Sequence, residues 1–353
     1  MEGSTDQWFT NDTIGRNDGI DTTDIGQIIM FITSIVVGTL GILGNGLVIL
    51  ICICYPFQGI TNIVVCNQSL IDFTTSMIFL LQYTLPDYRY DLPSSSPIAA
   101  SLLCGVWVSR YPFWALSVSS TVNLEYITIE RYMAVFYPFQ HRVKFTKYRA
   151  KLCAIIPWVY GLLHELPWAL THKEREPGVC SSQWQSDGLR FAVGIIAPTD
   201  HYVIPLVIIC FVYIRIVFKL RESDCLDGGN TPTTTSGNSS SDAREIKIKR
   251  ASRNIIKTMF VVSITYLICW GPNEFLYLYS NLGGKVDFSD AFNYYTVVSA
   301  TCNMCVNPII YLCNWKDFRA KTLKLSKRIV PCCEDVEKTA QVHTVHIVSS
   351  NGL

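Results

Sequence analysis

Seven stretches of mostly apolar residues divide the chain, at about Ile28 to Cys54, Asn62 to Leu85, Ala100 to Tyr132, Ala150 to Leu170, Ala192 to Lys219, Ile255 to Ser280 and Ala291 to Cys313. Each is long enough to carry a helix across a bilayer, since roughly 30 Å of hydrocarbon takes about 20 apolar residues. The expected fold class is therefore an all-α membrane protein, a seven-transmembrane helix bundle. Composition agrees: 49% of residues are hydrophobic and 16% charged, against about 25% charged in a soluble domain. A formal net charge of +1 excludes a strongly basic nucleic-acid binder, so no nucleic acid is expected as a partner. Polar side chains inside a span are costly and turn toward a bundle interior or a watery cavity. Asp72, Ser117, Ser120, Asn123, Glu125, Asn303 and Asn307 are more of them than a passive anchor needs, and the third and seventh spans are the most polar.

The first 25 residues are acidic and polar, without the basic start, apolar stretch and cleavage site of a signal peptide, so the first span is expected to act as its own insertion signal. Lys and Arg set the orientation. With the N-terminus outside, six fall between Arg131 and Lys151, nine between Arg215 and Lys257 and seven between Lys316 and Lys338, all on the inner side. Arg16, Arg89, Arg110, Lys173, Arg175, Arg190 and Lys285 remain outside. The positive-inside rule then orients a multi-pass protein with its N-terminus extracellular, although the first inner loop has no basic residue, and the plasma membrane is its expected location. Residues 1–27 form an outer tail, 28–313 the bundle, 314–330 a membrane-surface helix and 331–353 an inner tail. Within the bundle, 221–243 contains DGGNTPTTTSGNSSS, a run that buries too little apolar surface to order itself and reads as a flexible loop. After the seventh span, basic residues alternate with Phe318, Leu323, Leu325 and Ile329, the pattern of an amphipathic helix resting on anionic membrane lipid.

Local motifs sharpen this picture. Glu130-Arg131-Tyr132 closes the third span. GNGLV starts at Gly44 in the first, and TNIVVCNQSLID runs from Thr61 to Asp72 in the second. Trp158 and Pro167 mark the fourth, Pro205 and Tyr213 the fifth, Cys269-Trp270-Gly271-Pro272 the sixth and Asn307-Pro308-Ile309-Ile310-Tyr311 the seventh. Any one of these tripeptides is weak evidence. All of them in this order, from about Gly41 to Cys333, resemble the rhodopsin-like (class A) G-protein-coupled receptors, of the peptide-receptor type.

The resemblance implies roles, and the residues alone leave plainer readings beside them. Arg131 reads either as an interfacial anchor or, by resemblance, as the switch that pairs with Glu130 at rest and meets a heterotrimeric G protein when the sixth helix swings out. Ser252 stands where many relatives place a second acid, which puts a clamp between the third and sixth helices in doubt. Asp72 is either a hydrogen-bonded core residue or, by resemblance, the centre of a sodium pocket with Ser120, Asn303 and Asn307. Met304 replaces a small, often polar residue there, and apart from that allosteric ion no cofactor and no metal is expected. Trp270 and Pro272 are packing at a kink or the relay below the ligand pocket, with Tyr213 and Tyr311 supporting the active state around Arg131 and Tyr132. The topology leaves only Cys104 and Cys180 on the oxidising side, and the family's disulfide matches that pair. Cys104 lies farther before Arg131 than the family usual, so the third helix is expected to start irregularly near Pro112.

Asn11 begins an Asn-Asp-Thr glycosylation sequon. Cys332 and Cys333 are palmitoylation candidates or free thiols, and Lys249-Arg250-Ala251-Ser252 resembles a basophilic kinase site. Arrestin and receptor kinases are partners by resemblance. Phe113 stands where amine receptors carry an Asp, and Thr301 where a photoreceptor carries its Schiff-base lysine. The outer face mixes aromatic and charged residues, namely Tyr83, Asp87, Tyr88, Arg89, Trp107, Arg110, Trp184, Glu274 and Tyr277. With Phe113 and Trp270, these make Trp184, Glu274 and Tyr277 the ligand-pocket candidates. A neuropeptide is the expected ligand, with a lipid or other small ligand as the alternative. A secondary transporter is the rival from another class, but its inverted repeats are missing. No membrane-enzyme motif such as Gly-x-Ser-x-Gly is present, so no enzyme is expected.

Overall fold

The computed structural model describes residues 22–57, 59–85, 97–176, 179–227, 239–286 and 291–329. Asn11, Asp87, Tyr88, Arg89, Cys332 and Cys333 lie outside the described residues, and Ser252 falls in a helix without a described side chain. The elements in chain order are α1 (Thr22–Cys54), α2 (Thr61–Thr84), α3 (Pro97–Leu102), α4 (Tyr111–Phe136), α5 (Pro138–Lys144), α6 (Lys147–Cys153) and α7 (Ile156–Thr171). A hairpin of β1 (His172–Glu176) and β2 (Val179–Ser182) follows, then α8 (Asp187–Pro198), α9 (Ile204–Asp227), α10 (Ser239–Asn281), α11 (Ala291–Asn314) and α12 (Lys316–Ile329). The hairpin is the one departure from an all-α chain among the described residues; it pairs antiparallel, with Lys173 opposite Ser181 and Glu174 opposite Cys180.

Among the described residues, five helical stretches are long and apolar enough to cross a membrane: Ile28–Cys54, Thr61–Thr84, Asp187–Lys219, Arg253–Asn281 and Phe292–Asn314. The third and fourth spans are helical but interrupted. The third runs through α3, a π-helical turn at Leu103–Val108 and then α4. Between the π-helical turn and α4, Arg110 adopts φ 57°, a left-handed conformation that non-glycine residues seldom take. Pro112 in the first turn of α4 follows, so the irregular start lies where Cys104 and Arg131 are spaced too widely. The fourth is split between α6 and α7 at Ala154 and Ile155, just before Pro157, whose missing N–H is harmless in a first turn. The loop expected at 221–243 is shorter than its composition suggests: α9 continues to Asp227 and α10 already begins at Ser239. Ala, Arg, Glu and Lys of the AREIKIKR run are good helix formers and extend the sixth span.

Side chains sort opposite to a soluble protein. Leu43, Ile53, Val207, Phe211 and Ile268 point outward, while Asp72, Gln68, Ser120, Asn123 and Asn307 are buried. Small residues let the helices meet. A Cβ on Gly161 of α7 would come within 2.3 Å of the Ser119 Oγ of α4, so only glycine fits that crossing. Trp315, buried at the turn into α12, stacks on Phe57 at 4.2 Å, and Phe318 and Leu325 of α12 are buried against the bundle. Leu323, expected on the same apolar stripe, is exposed; the stripe is divided, one part gripping the bundle and the other facing away.

Candidate functional site

Three sites lie along the bundle axis. The first is at the end where α4 meets α5. Arg131 Nε lies 2.5 Å from Glu130 Oε2, and an Arg131 terminal nitrogen donates to Thr61 Oγ1 at 3.0 Å. Both members of the pair are buried. A buried ion pair holds only when its remaining valences are met, and His141 of α5 meets one, with Nε2 2.7 Å from Glu130 Oε1. His141 was not legible as a partner in the sequence, because only the fold of α5 carries it back across Tyr137. Among the described ion pairs none ties Arg131 to α10. Tyr213 and Tyr311 are both buried near this end, Tyr213 accepting from Ser263 Oγ at 3.5 Å and Tyr311 packing edge-on against Trp315 at 5.8 Å. Tyr132, half-buried, packs on Phe136 at 4.6 Å instead of on Arg131.

The second site is the buried polar centre. Asp72 accepts from Ser120 Oγ at 2.8 Å and from Asn307 Nδ2 at 2.8 Å. Gln68, absent from the site that the motifs imply, donates to both Asp72 oxygens at 3.1 and 3.2 Å and to Ser120 Oγ at 2.6 Å. Asn303 is buried on the same helix as Asn307, but among the described hydrogen bonds none joins it to Asp72. The resemblance implies a sodium ion here, and the donor set does not fit one: the position facing both carboxylate oxygens and the Ser120 hydroxyl is filled by an amide nitrogen. The i to i+4 spacing of Gln68 and Asp72 was the available signal.

The third site is a cavity of about 240 Å³ at the opposite end, roofed by the hairpin. The Cys104–Cys180 disulfide pins β2 to the π-helical turn, its Cα atoms 5.4 Å apart. Of the ligand-pocket candidates, Trp184, Glu274 and Tyr277 line the cavity, but Phe113 and Trp270 do not. Consecutive helical residues point about 100° apart: Phe113 turns into the packing with Phe79 at 5.3 Å, and Trp114 takes the cavity wall. Trp114 reaches Trp270 edge-on at 6.3 Å, so Trp270 lies one layer below. Pro272 sits inside α10 just above it.

His201 joins the cavity to that layer. The π-helical turn at Thr199–Val203 presents it between three helices. Its Nδ1 lies 2.7 Å from Glu274 Oε1, its Nε2 lies 2.8 Å from Thr121 Oγ1, and its ring stands perpendicular to Trp270 at 4.6 Å. The Tyr266 hydroxyl donates to its carbonyl. A second carboxylate, Glu165, meets His164 at 3.0 Å on the cavity wall. Neither His201 nor Glu165 was expected, since isolated His and Glu residues in apolar runs give no periodic signal.

Comparison with known proteins bears on the bundle as a whole. The model of the 7 transmembrane receptor (rhodopsin family) matches residues 44–311. The chain belongs to this family. The receptor is 25% identical over 341 residues to galanin receptor 2b of Danio rerio, covering 92% of this chain and 80% of that one. It is 25% identical over 309 residues to the allatostatin-A receptor of Bombyx mori, with 82% and 77% covered. It is 23% identical over 351 residues to somatostatin receptor type 2 of Mus musculus, with 93% and 85% covered. Membership makes the receptor a multi-pass membrane protein and sets aside the transporter and enzyme readings.

Proposed function

We propose that the receptor resides in the plasma membrane with its N-terminus outside, binds an extracellular neuropeptide in the cavity beneath the hairpin and activates a heterotrimeric G protein through Arg131. The observation that carries this reading is the wall of the cavity. Aromatic Trp114, Trp168, Trp184 and Tyr277 line it together with Arg110, Arg190, Glu165 and Glu274, so apolar and charged groups of one ligand find partners together. The matched relatives include receptors named for galanin, allatostatin-A and somatostatin, which favours a peptide. Charge is layered within the wall. Arg190 lies near the start of α8, while Glu274 lies one helical turn from Trp270, so a peptide would enter with a cationic group leading toward Glu274.

Engagement of Glu274 competes with His201 for the same carboxylate. Freed from it, His201 no longer holds Glu274 of α10 to Thr121 of α4, and the bend at Pro272 is released to open the Arg131 end. Arg131 then leaves Glu130 for the G protein. Arrestin and receptor kinases would use the same opened face, and Asn11 glycosylation with Cys332 and Cys333 palmitoylation would belong to the two tails. The test is a panel of G-protein subtype sensors in cells expressing the receptor, challenged with a neuropeptide library. A peptide response that Arg131→Ala abolishes, with surface expression and peptide binding kept, is the expected result. An undiminished response in Arg131→Ala would overturn the coupling role.

A further inference from the structure

Five side chains from the second, third and fourth spans form one hydrogen-bond chain through the middle of the bundle. Trp158 Nε1 donates to Asn67 Oδ1 at 3.1 Å, Asn67 Nδ2 to Asn123 Oδ1 at 2.7 Å and Asn123 Nδ2 to Gln68 Oε1 at 2.7 Å. Gln68 Nε2 then donates to Asp72 Oδ1 and Oδ2 at 3.1 and 3.2 Å. The direction of the chain is forced. An indole N–H can only donate and a carboxylate only accept, so each of the three amides between them has one orientation that satisfies both neighbours. Every donor points toward Asp72, and hydrogen bonds aligned in this way polarise one another in a low dielectric.

The end of the chain occupies a particular place. Gln68 Nε2 is surrounded by three oxygens, the two of Asp72 and the Ser120 Oγ at 2.6 Å. These are the oxygens that a hard cation would take as ligands. Asn307 closes the remaining side of Asp72, and Gln68, Asp72, Asn123 and Asn307 are all buried. A cation entering here must displace the Gln68 amide, whose nitrogen would then lose its acceptors at a buried position.

We infer that the side-chain amide of Gln68 stands in the position of a sodium ion, so that Asp72 is held by internal N–H and O–H donors and the receptor is indifferent to sodium. The chain thereby ties the third and fourth spans to Asp72 without an exchangeable ion, and what other conditions of the medium could vary is fixed covalently in the second span.

The inference needs no ligand for its test. Thermal unfolding of the purified full-length receptor is followed in sodium chloride and in N-methyl-D-glucamine chloride at equal ionic strength. Wild type is expected to melt at the same temperature in both. Gln68→Ala, which vacates the site while keeping Asp72 and Ser120, is expected to melt at least about 2 °C higher in sodium than in the organic cation, and Asp72→Asn added to it should remove that difference. Gln68→Leu, one atom shorter toward Asp72, gives the same comparison should the alanine variant not fold. Sodium stabilisation of wild type that Asp72→Asn abolishes would overturn the inference. So would Gln68 variants that fold and remain indifferent to sodium.

Discussion

At the residue scale, the switch proposed at Arg131 depends on how many partners its charges keep. Glu130 is shared by Arg131 at 2.5 Å and His141 at 2.7 Å, and α10 contributes no acid to the pair among the described residues. His141 therefore does part of the holding that Ser252 cannot. A hydrogen bond to a charged group contributes about 1.5–3 kcal/mol, and losing even about 1 kcal/mol from the resting state alone shifts a two-state ratio about fivefold. His141→Ala should raise ligand-free G-protein signalling about fivefold at equal surface expression; a basal signal equal to wild type would show that His141 only packs. Glu130 and Arg131 are legible in sequence because they are adjacent. His141 is not, because an inner helix had to fold back to bring it there.

At the scale of elements, the crossing of α4 and α7 is decided by a missing side chain. Gly161 faces the Ala115 carbonyl and the Ser119 hydroxyl so closely that any Cβ must push the two helices apart. Such overpacking costs about 1–3 kcal/mol. Gly161→Val should lower the melting temperature of the purified receptor by several degrees and also weaken the Trp158–Asn67 contact one turn away; a variant melting like wild type would mean that the helices separate freely. The glycine was visible as a residue but not as a contact, since helix pairing is not written in a single span. The opposite holds for α12 and the irregular third span. Basic residues around Phe318 and the wide spacing of Cys104 from Arg131 foretold both, because each is a local property of the chain.

At the scale of the whole molecule, the cavity exists because the hairpin is held over it. The Cys104–Cys180 bridge closes a loop of sequence separation 76, and a bridge of this kind contributes about 2–4 kcal/mol. Replacing both cysteines with serine should lower the melting temperature and reduce peptide potency at least about tenfold, with Arg131-dependent basal signalling retained. Unchanged potency would free the hairpin from any part in shaping the site.

Hydropathy, charge asymmetry and ordered motifs were enough to establish seven spans, the family and the positions of Asp72, Arg131 and Trp270, because solvation by lipid acts on each segment independently. What stands beside those residues was settled only in the folded bundle. His201 at Glu274 and Trp114 in place of Phe113 depend on how helices are rotated and where their π-helical turns fall; Gln68 was signalled by its i to i+4 spacing from Asp72, but its bonds to Ser120 and Asn123 of α4 were not. Rotation is set by contacts between segments far apart in the chain, and a helix buried on one face and bathed in lipid on the other carries too shallow a polarity contrast to declare it in advance.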